Sequence, residues 1–300
     1  MESWLRGLFR QHAVDLPDDI DHHNRRRLLA TGALDIIRST MMPKYDALFV
    51  DEAQDLLPEE VALLVAWSEN IFSVGDDRQK IYSETDGLRA IRQLSPAPHE
   101  RILRFHYRLA PEICEMADRI LSASSGQSLA STCHYDGPKP GRISVHALPD
   151  RRSQMEAAAK NLETQQRVYS DFIARGDRLG VVVPRRVDRE ELFELFEGNR
   201  ALAGRSQIAR ARSGDEEDRD YNPTLDPDRP IIILTEQGCK GLEFRALHWL
   251  FANELTHHRT DERYYTIVTR AKTSLDIYHS GNLPQTLARS YAEKKKDIWG

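Results

Sequence analysis

Apolar residues along this chain come in short blocks of two kinds. Val181-Val182-Val183 and Ile231-Ile232-Ile233-Leu234 are continuous runs bounded by charged or turn-forming residues. Such runs suit strands buried on both faces, hence a mostly parallel sheet with helices on either side. Strands are predicted at 47–51, 71–74, 101–105, 142–148, 179–183, 231–235, 247–252 and 274–279. The other blocks recur at helical spacing, and helices are predicted at 111–123, 153–174, 188–197 and 261–272. Pro58 suits the first turn of a further helix, with Val61, Leu64 and Val65 on its apolar side. Residues 1–45 read as helical and charged. Within them Asn24-Arg25-Arg26-Arg27 leads into Leu28, Leu29, Leu34, Ile36 and Ile37, and the arginines read as a solvated helix face more readily than as a phosphate contact.

Breakers divide this pattern. Ser95-Pro96-Ala97-Pro98 is the first credible linker and separates residues 1–98 from 99–300. Segments 124–141 and 203–230 are rich in Gly, Ser, Pro, Asp and Arg and read as loops, with 213–220 a candidate for disorder. The second part holds enough strands and helices for a complete α/β domain. The first does not: two strands with one helix between them cannot bury a sheet on both faces. Either the leading 45 residues cover them, or another polypeptide does.

Composition narrows the class. The chain has 300 residues, 40% of them hydrophobic, and a formal charge of −5. That balance argues against holding nucleic acid by bulk positive charge, yet 42 Lys and Arg leave room for a local basic groove. Cys114, Cys133 and Cys239 lie far apart and form neither a metal-type pair nor a disulfide framework in sequence. Apolar runs are too short to span a bilayer, and the N-terminus carries charges without a run of signal-peptide length. A soluble cytoplasmic protein with no membrane partner is the expectation.

The chemistry concentrates at the ends of two predicted strands. Leu48-Phe49-Val50 runs into Asp51-Glu52-Ala53-Gln54-Asp55, and Ile71-Phe72-Ser73-Val74 runs into Gly75-Asp76-Asp77-Arg78-Gln79. Acidic groups at the carboxyl ends of parallel strands are what a nucleotide-hydrolysing α/β domain uses to hold Mg²⁺ and to sense a phosphate. Asp51 suits the ligand shell of Mg²⁺. Glu52 suits a group that accepts a proton from, or orients, an attacking water. Gln79 can reach a γ-phosphate or the water beside it. No Gly-x-x-x-x-Gly-Lys-Ser/Thr loop occurs anywhere in the chain.

Five blocks, in order, resemble superfamily 1 DNA helicases of the UvrD/Rep type. Asp51-Glu52-Ala53-Gln54-Asp55 resembles the Walker B motif. Val74-Gly75-Asp76-Asp77-Arg78-Gln79-Lys80-Ile81-Tyr82 resembles motif III, and Phe105-His106-Tyr107-Arg108 resembles motif IV, whose usual form is Asn-Tyr-Arg-Ser. Leu234 to Phe244 resembles motif V, and Tyr265-Thr266-Ile267-Val268-Thr269-Arg270-Ala271-Lys272 resembles motif VI. The resemblance implies RecA-like parallel sheets, one partial and one complete, and ATP with Mg²⁺ as cofactors. Arg108 and Arg270 are then cationic clamps on the phosphoryl transition state, whose spread charge a planar guanidinium can meet at two oxygens. Glu243 becomes the contact to the nucleotide sugar, with Gly241 and Lys240 beside it; Lys240 reads equally as a phosphate contact or a turn cap. Single-stranded DNA is the implied partner, through phosphate contacts and stacking, with Tyr82, Thr235 and Gln237 as candidates. Ser83-Glu84-Thr85-Asp86 departs from the family where another aromatic and an arginine usually follow. Tyr107 reads as core packing, His248 and Trp249 as strand residues, and His257-His258 as a loop without a metal site.

The phosphate cradle, its lysine and the hydroxyl ligand to Mg²⁺ have no counterpart in the chain. Losing one preorganised electrostatic donor costs roughly two to three orders of magnitude in rate, so this polypeptide alone is expected to be weak or inactive. The reading is therefore the C-terminal part of an ATP-dependent helicase or translocase whose Walker A half comes from a second polypeptide; a truncated product or a fragment of a longer chain would read the same. The alternative is a non-catalytic helicase-like scaffold in a nucleic-acid-processing or defence complex.

Overall fold

Two all-parallel sheets grow from the apolar runs in the computed structural model, which describes residues 2–12, 20–40, 44–76, 85–94, 98–121, 128–209, 225–254 and 260–296. The chain divides into two compact units, Met1–Ile102 and Leu103–Gly300.

The first unit comprises α1 (Glu2–Gln11), α2 (His22–Thr40), β1 (Leu48–Val50), α3 (Pro58–Trp67), β2 (Ile71–Ser73) and α4 (Gly87–Arg92). Strands β1 and β2 pair in parallel with Phe49 opposite Phe72. Side chains alternate across a strand, so Leu48, Val50 and Ile71 face inward against Val61, Leu64, Leu88 and Ile91. Helices α1, α2 and α3 close a second cluster through Leu8, Phe9, Leu29, Ile37, Leu63 and Trp67. The leading residues thus do form helices, but they leave one face of the sheet bare: Phe49 is 81% exposed and Phe72 62%. Arg26 corrects the expectation of a solvated arginine face. Its guanidinium donates to both oxygens of buried Glu60 at 2.9 and 2.5 Å and to the Asp55 carbonyl at 2.9 Å.

The second unit comprises α5 (Pro111–Ile120), β3 (Arg142–Ala147), α6 (Arg151–Val168), α7 (Ser170–Ala174), β4 (Leu179–Val183), α8 (Arg186–Glu197), β5 (Ser206–Ile208), β6 (Ile231–Thr235), β7 (Phe244–Trp249), α9 (Thr260–Val268), β8 (Ala271–His279) and α10 (Gln285–Lys296). Its six strands lie in the order β3-β8-β7-β4-β6-β5, all parallel. Strand β4 shows why the run at 179–183 is apolar throughout. Val182 packs on the side of α5 and α9, while Leu179, Val181 and Val183 pack on the side of α6 and α8. This is the doubly covered α/β layering that continuous runs imply, and with the two-stranded sheet it makes the chain RecA-like in fold class.

Several boundaries differ from the sequence reading. Residues 101–105 are not a strand; Ile102, Leu103 and Phe105 are exposed, and His106 alone makes an isolated parallel bridge to Cys133. Strand β7 covers Phe244–Trp249 rather than 247–252, because Arg245 within it is buried and ion-paired. The expected loop 203–230 contains the edge strand β5. The expected helix 153–174 is two helices, the first capped where Ser153 N donates to the Asp150 carboxylate at 2.7 Å. Helices α4 and α10 were not anticipated. Segment 213–220 lies outside the described residues, as does the His257-His258 pair. His248 is a core residue of β7, bonded to Tyr278 Oη and Gln165 Oε1 at 2.9 and 2.8 Å. Burial lowers its pKa to about 4 and keeps it neutral. Among the described residues, no helix is long and apolar enough to cross a membrane.

Candidate functional site

In the first unit the two strand ends are locked together by one buried side chain. Val74 N donates to the Val50 carbonyl at 2.9 Å, and Ala53 N donates to the Val74 carbonyl at 2.9 Å. Gln54, 1% exposed, then bonds in both directions. Its Nε2 donates to Glu52 Oε2 at 2.5 Å, and its Oε1 accepts from Asp76 N at 3.1 Å. Gly75 leaves room beside it: a Cβ there would lie 2.6 Å from Gln54 Oε1 and would push that side chain aside. Glu52 itself sits in the left-handed region at φ 52°, a strained backbone for a residue with a side chain. Asp51 is exposed at the end of β1, and one of its carboxylate oxygens accepts from Glu52 N at 2.8 Å. An exposed carboxylate fits the partial, water-rich coordination that Mg²⁺ prefers. Gln79 and Tyr82 lie outside the described residues.

In the second unit, Glu243 immediately precedes β7 and Arg270 immediately precedes β8. The pairing of these neighbouring strands, with Phe244 N donating to the Arg270 carbonyl at 2.9 Å, brings the two motifs together. Arg108 forms an ion pair with Glu243. The pair belongs to a ladder of alternating charge. Glu243 lies 3.7 Å from Lys272 Nζ, Lys272 2.9 Å from Asp177, and Asp177 2.6 Å from Arg245. Arg245 also donates to Tyr135 Oη and Thr273 Oγ1 at 3.2 and 3.1 Å, and its guanidinium covers the Phe172 ring. Although burial opposes its ionisation, bonds from Lys272 and Arg245 hold the Asp177 carboxyl below the usual range. Arg270 is buried, with Nε donating to the Thr266 carbonyl at 3.1 Å. Tyr107 is not in the core as expected: it is 59% exposed and lies against the His134 ring.

The loop leaving β6 carries the remaining candidates. Thr235 closes the strand half-buried, Gln237 is exposed, Lys240 is half-buried, and Gly241 takes the left-handed conformation at φ 77°. Burial pushes the Cys239 thiol up to about 12, against the pull of Arg270. Glu236, passed over in the sequence, is the most perturbed acid here. Burial raises its pKa to about 7 despite the nearby Arg263, and its Oε1 is buried without a hydrogen-bond partner. A carboxyl poised near neutrality in a loop of candidate ligands is a recognisable mark of a functional position. Asp177 and Arg245 were also missed, since each stands alone in sequence, tens of residues from its partner. The locking role of Gln54 had a signal in its place two residues after Glu52.

No family model matches the chain. Curated relatives match part of it. F-box DNA helicase 1 of Gallus gallus is 32% identical over 112 residues, 36% of this chain and 11% of that protein. ATP-dependent DNA helicase UvrD2 of Mycobacterium bovis is 30% identical over 129 residues, 40% of this chain and 18% of that protein. UvrD2 of Mycobacterium tuberculosis matches to the same extent. The chain resembles the C-terminal portion of UvrD-like DNA helicases. It spans less than a fifth of the length of the curated relatives it matches. Among solved structures, the C-terminal domain of a possible DNA helicase from Lactobacillus plantarum superposes with a TM-score of 0.39 at 21% identity, covering 61% of this chain and 93% of that one.

Proposed function

We propose that this chain is the C-terminal component of an ATP-dependent helicase or translocase acting on single-stranded DNA, and that a second polypeptide supplies its phosphate loop. The observation that supports the reading most is the bare face of the β1–β2 sheet, which ends in Asp51 and Glu52. Among the described residues, nothing covers Phe49 and Phe72 on this face of the parallel pair, where parallel sheets otherwise carry a layer. A strand carrying the Gly-x-x-x-x-Gly-Lys-Ser/Thr loop, with its following helix, fits that vacancy in kind. By the resemblance, Asp51 would hold Mg²⁺ through its ligand shell, Glu52 would take the proton of an attacking water, and Gln79 would read the γ-phosphate. Arg108 and Arg270 would neutralise charge on the phosphoryl oxygens, Glu243 would meet the sugar, and Lys240 and Gly241 would shape that edge. Tyr82, Thr235 and Gln237 contact DNA. ATP, when bound, supplies the phosphoryl group.

The second reading, a scaffold without turnover, draws support from one feature: Arg108 is ion-paired with Glu243 and Glu52 is bonded to Gln54, so both groups already have protein partners. The experiment is ATPase activity of the chain alone, of the chain with a candidate polypeptide carrying the loop, and of the mixture with single-stranded DNA. Turnover only in the mixture, abolished by Glu52→Gln, supports the split enzyme. Phe49→Asp with Phe72→Asp should abolish complex formation while leaving the circular dichroism spectrum intact. A mixture that binds through this face but shows no turnover establishes the scaffold.

A further inference from the structure

We propose that His106, Cys114 and Cys133 form a binding site for a zinc ion in the second unit. The three residues, at positions 106, 114 and 133, are brought together by tertiary pairing. His106 N donates to the Thr132 carbonyl at 3.1 Å, and His134 N donates to the His106 carbonyl at 2.8 Å, zipping the 106 segment onto the 132–134 segment. Cys114 arrives from the first turns of α5. One ligand atom from each residue then lies within 4.8 Å of the other two. Cys114 Sγ and His106 Nε2 are 3.7 Å apart. Two ligands on a tetrahedral zinc, with Zn–S near 2.3 Å and Zn–N near 2.0–2.1 Å, are separated by about 3.6 Å. This edge of the site is therefore already at coordinating distance.

The surroundings leave one ring nitrogen unpartnered and gather both thiols on one oxygen. The Nδ1 atom of His106 is buried without a hydrogen-bond partner. Both thiols are turned toward one carbonyl oxygen, that of Leu109, at 3.2 Å from Cys133 and 3.8 Å from Cys114. His106 Nε2 donates to the Leu129 carbonyl at 2.9 Å, so zinc at this nitrogen would replace that bond and move the ring proton to Nδ1. Donor chemistry selects the ion. Two sulfurs and an imidazole exclude Mg²⁺ and Ca²⁺, which take oxygen ligands. Binding Zn²⁺ displaces one proton from each thiol. The resulting cluster of one dication, two thiolates and a neutral imidazole carries no net charge, as burial demands, whereas Cu⁺ would leave a buried anion. Cys114 is fully buried and Cys133 only partly, which leaves an entry path and a fourth position for water or a backbone carbonyl.

The consequence reaches the candidate nucleotide site without depending on it. His106 stands where the motif IV pattern usually has Asn, two residues before Arg108. A metal at this point would tie the Arg108 segment to α5 and to residues 129–133. The test uses the whole chain, stripped with chelator and titrated with Co²⁺ as a spectroscopic stand-in and with Zn²⁺ in competition. Expected are sulfur-to-cobalt charge-transfer absorption, ligand-field bands of tetrahedral intensity, and their loss on adding zinc. Cys114→Ser, Cys133→Ser and His106→Asn should each weaken binding by about 100-fold or more, beyond what loss of a mere supporting residue costs. Cys239→Ala, outside the cluster, should leave binding unchanged. Circular dichroism separates lost ligation from lost folding, and His106→Asn restores the residue usual at this place. A cobalt spectrum without thiolate charge transfer overturns the proposal. So do cysteine variants that bind undiminished, or a Cys114–Cys133 disulfide formed in air by a chain that takes up no metal.

Discussion

Removing the side chain of Gln54 tests whether the acidic strand ends are held as one unit. Gln54→Ala deletes a bond to the charged Glu52 and a bond from Asp76 N, both made by a side chain that is 1% exposed. A hydrogen bond to a charged group contributes about 1.5–3 kcal/mol and a neutral one about 0.5–1.5 kcal/mol. Backbone strain at Glu52, with φ 52°, is common to wild type and variant and cancels from this difference. The expected loss of local stability is therefore about 2–4 kcal/mol. Hydrogen exchange read by mass spectrometry on peptides spanning 48–57 and 71–76 reports it directly, through the amides of Ala53, Val74 and Asp76. At about 1.4 kcal/mol per factor of ten, protection there should fall by roughly 30- to 1,000-fold. Protection in α6 and β4 of the second unit should stay as in the wild type. Gly75→Ala, whose Cβ would press on Gln54 Oε1, should open the same peptides. Unchanged protection in Gln54→Ala would refute the idea that this residue positions Glu52.

Three further outcomes follow from the same geometry. Glu236 has its pKa raised from 4.5 to about 7 by burial, so the folded state binds the extra proton. Its stabilising effect is complete below pH 4.5 and is lost as pH rises through 7, by up to about 3 kcal/mol. Urea midpoints of Glu236→Gln across that range should lack this slope, and a slope equal to wild type would remove Glu236 as its source. Arg26→Met strands Glu60, which is 4% exposed, and should cost about 3–5 kcal/mol. Adding Glu60→Leu should recover only part, because Leu57 N also donates to Glu60 Oε2 at 2.9 Å; a single-variant cost under about 1 kcal/mol would contradict burial of this pair. Phe49→Asp with Phe72→Asp should lower the unfolding free energy by about 1–2 kcal/mol, because it sets two like charges opposite each other on paired strands and puts Asp in a strand. A larger loss would mean that the ring pair is part of this unit's own core.

The order of local chemistry was legible in the residues themselves. Continuous runs at 179–183 and 231–235 can be little other than strands covered on both faces, because only a parallel sheet between helix layers hides every side chain of such a run. The acidic strand end at Asp51-Glu52 and the later motif blocks are read from contiguous residues, so their type and succession need no fold. Boundaries failed where a polar residue hides inside an element, as Arg245 does in β7, or where apolar residues stay exposed, as Ile102, Leu103 and Phe105 do. Pattern reports hydrophobicity; it does not report which polar groups will find a partner. The tertiary structure alone decided the rest. It set Glu52 in a left-handed turn under Gln54, assembled the charge ladder from Arg108 to Arg245, half-buried Glu236, and gathered His106, Cys114 and Cys133 around one point. Most of these depend on distances between residues remote along the chain. Only the pairing of strands and the packing of helices upon them sets those distances.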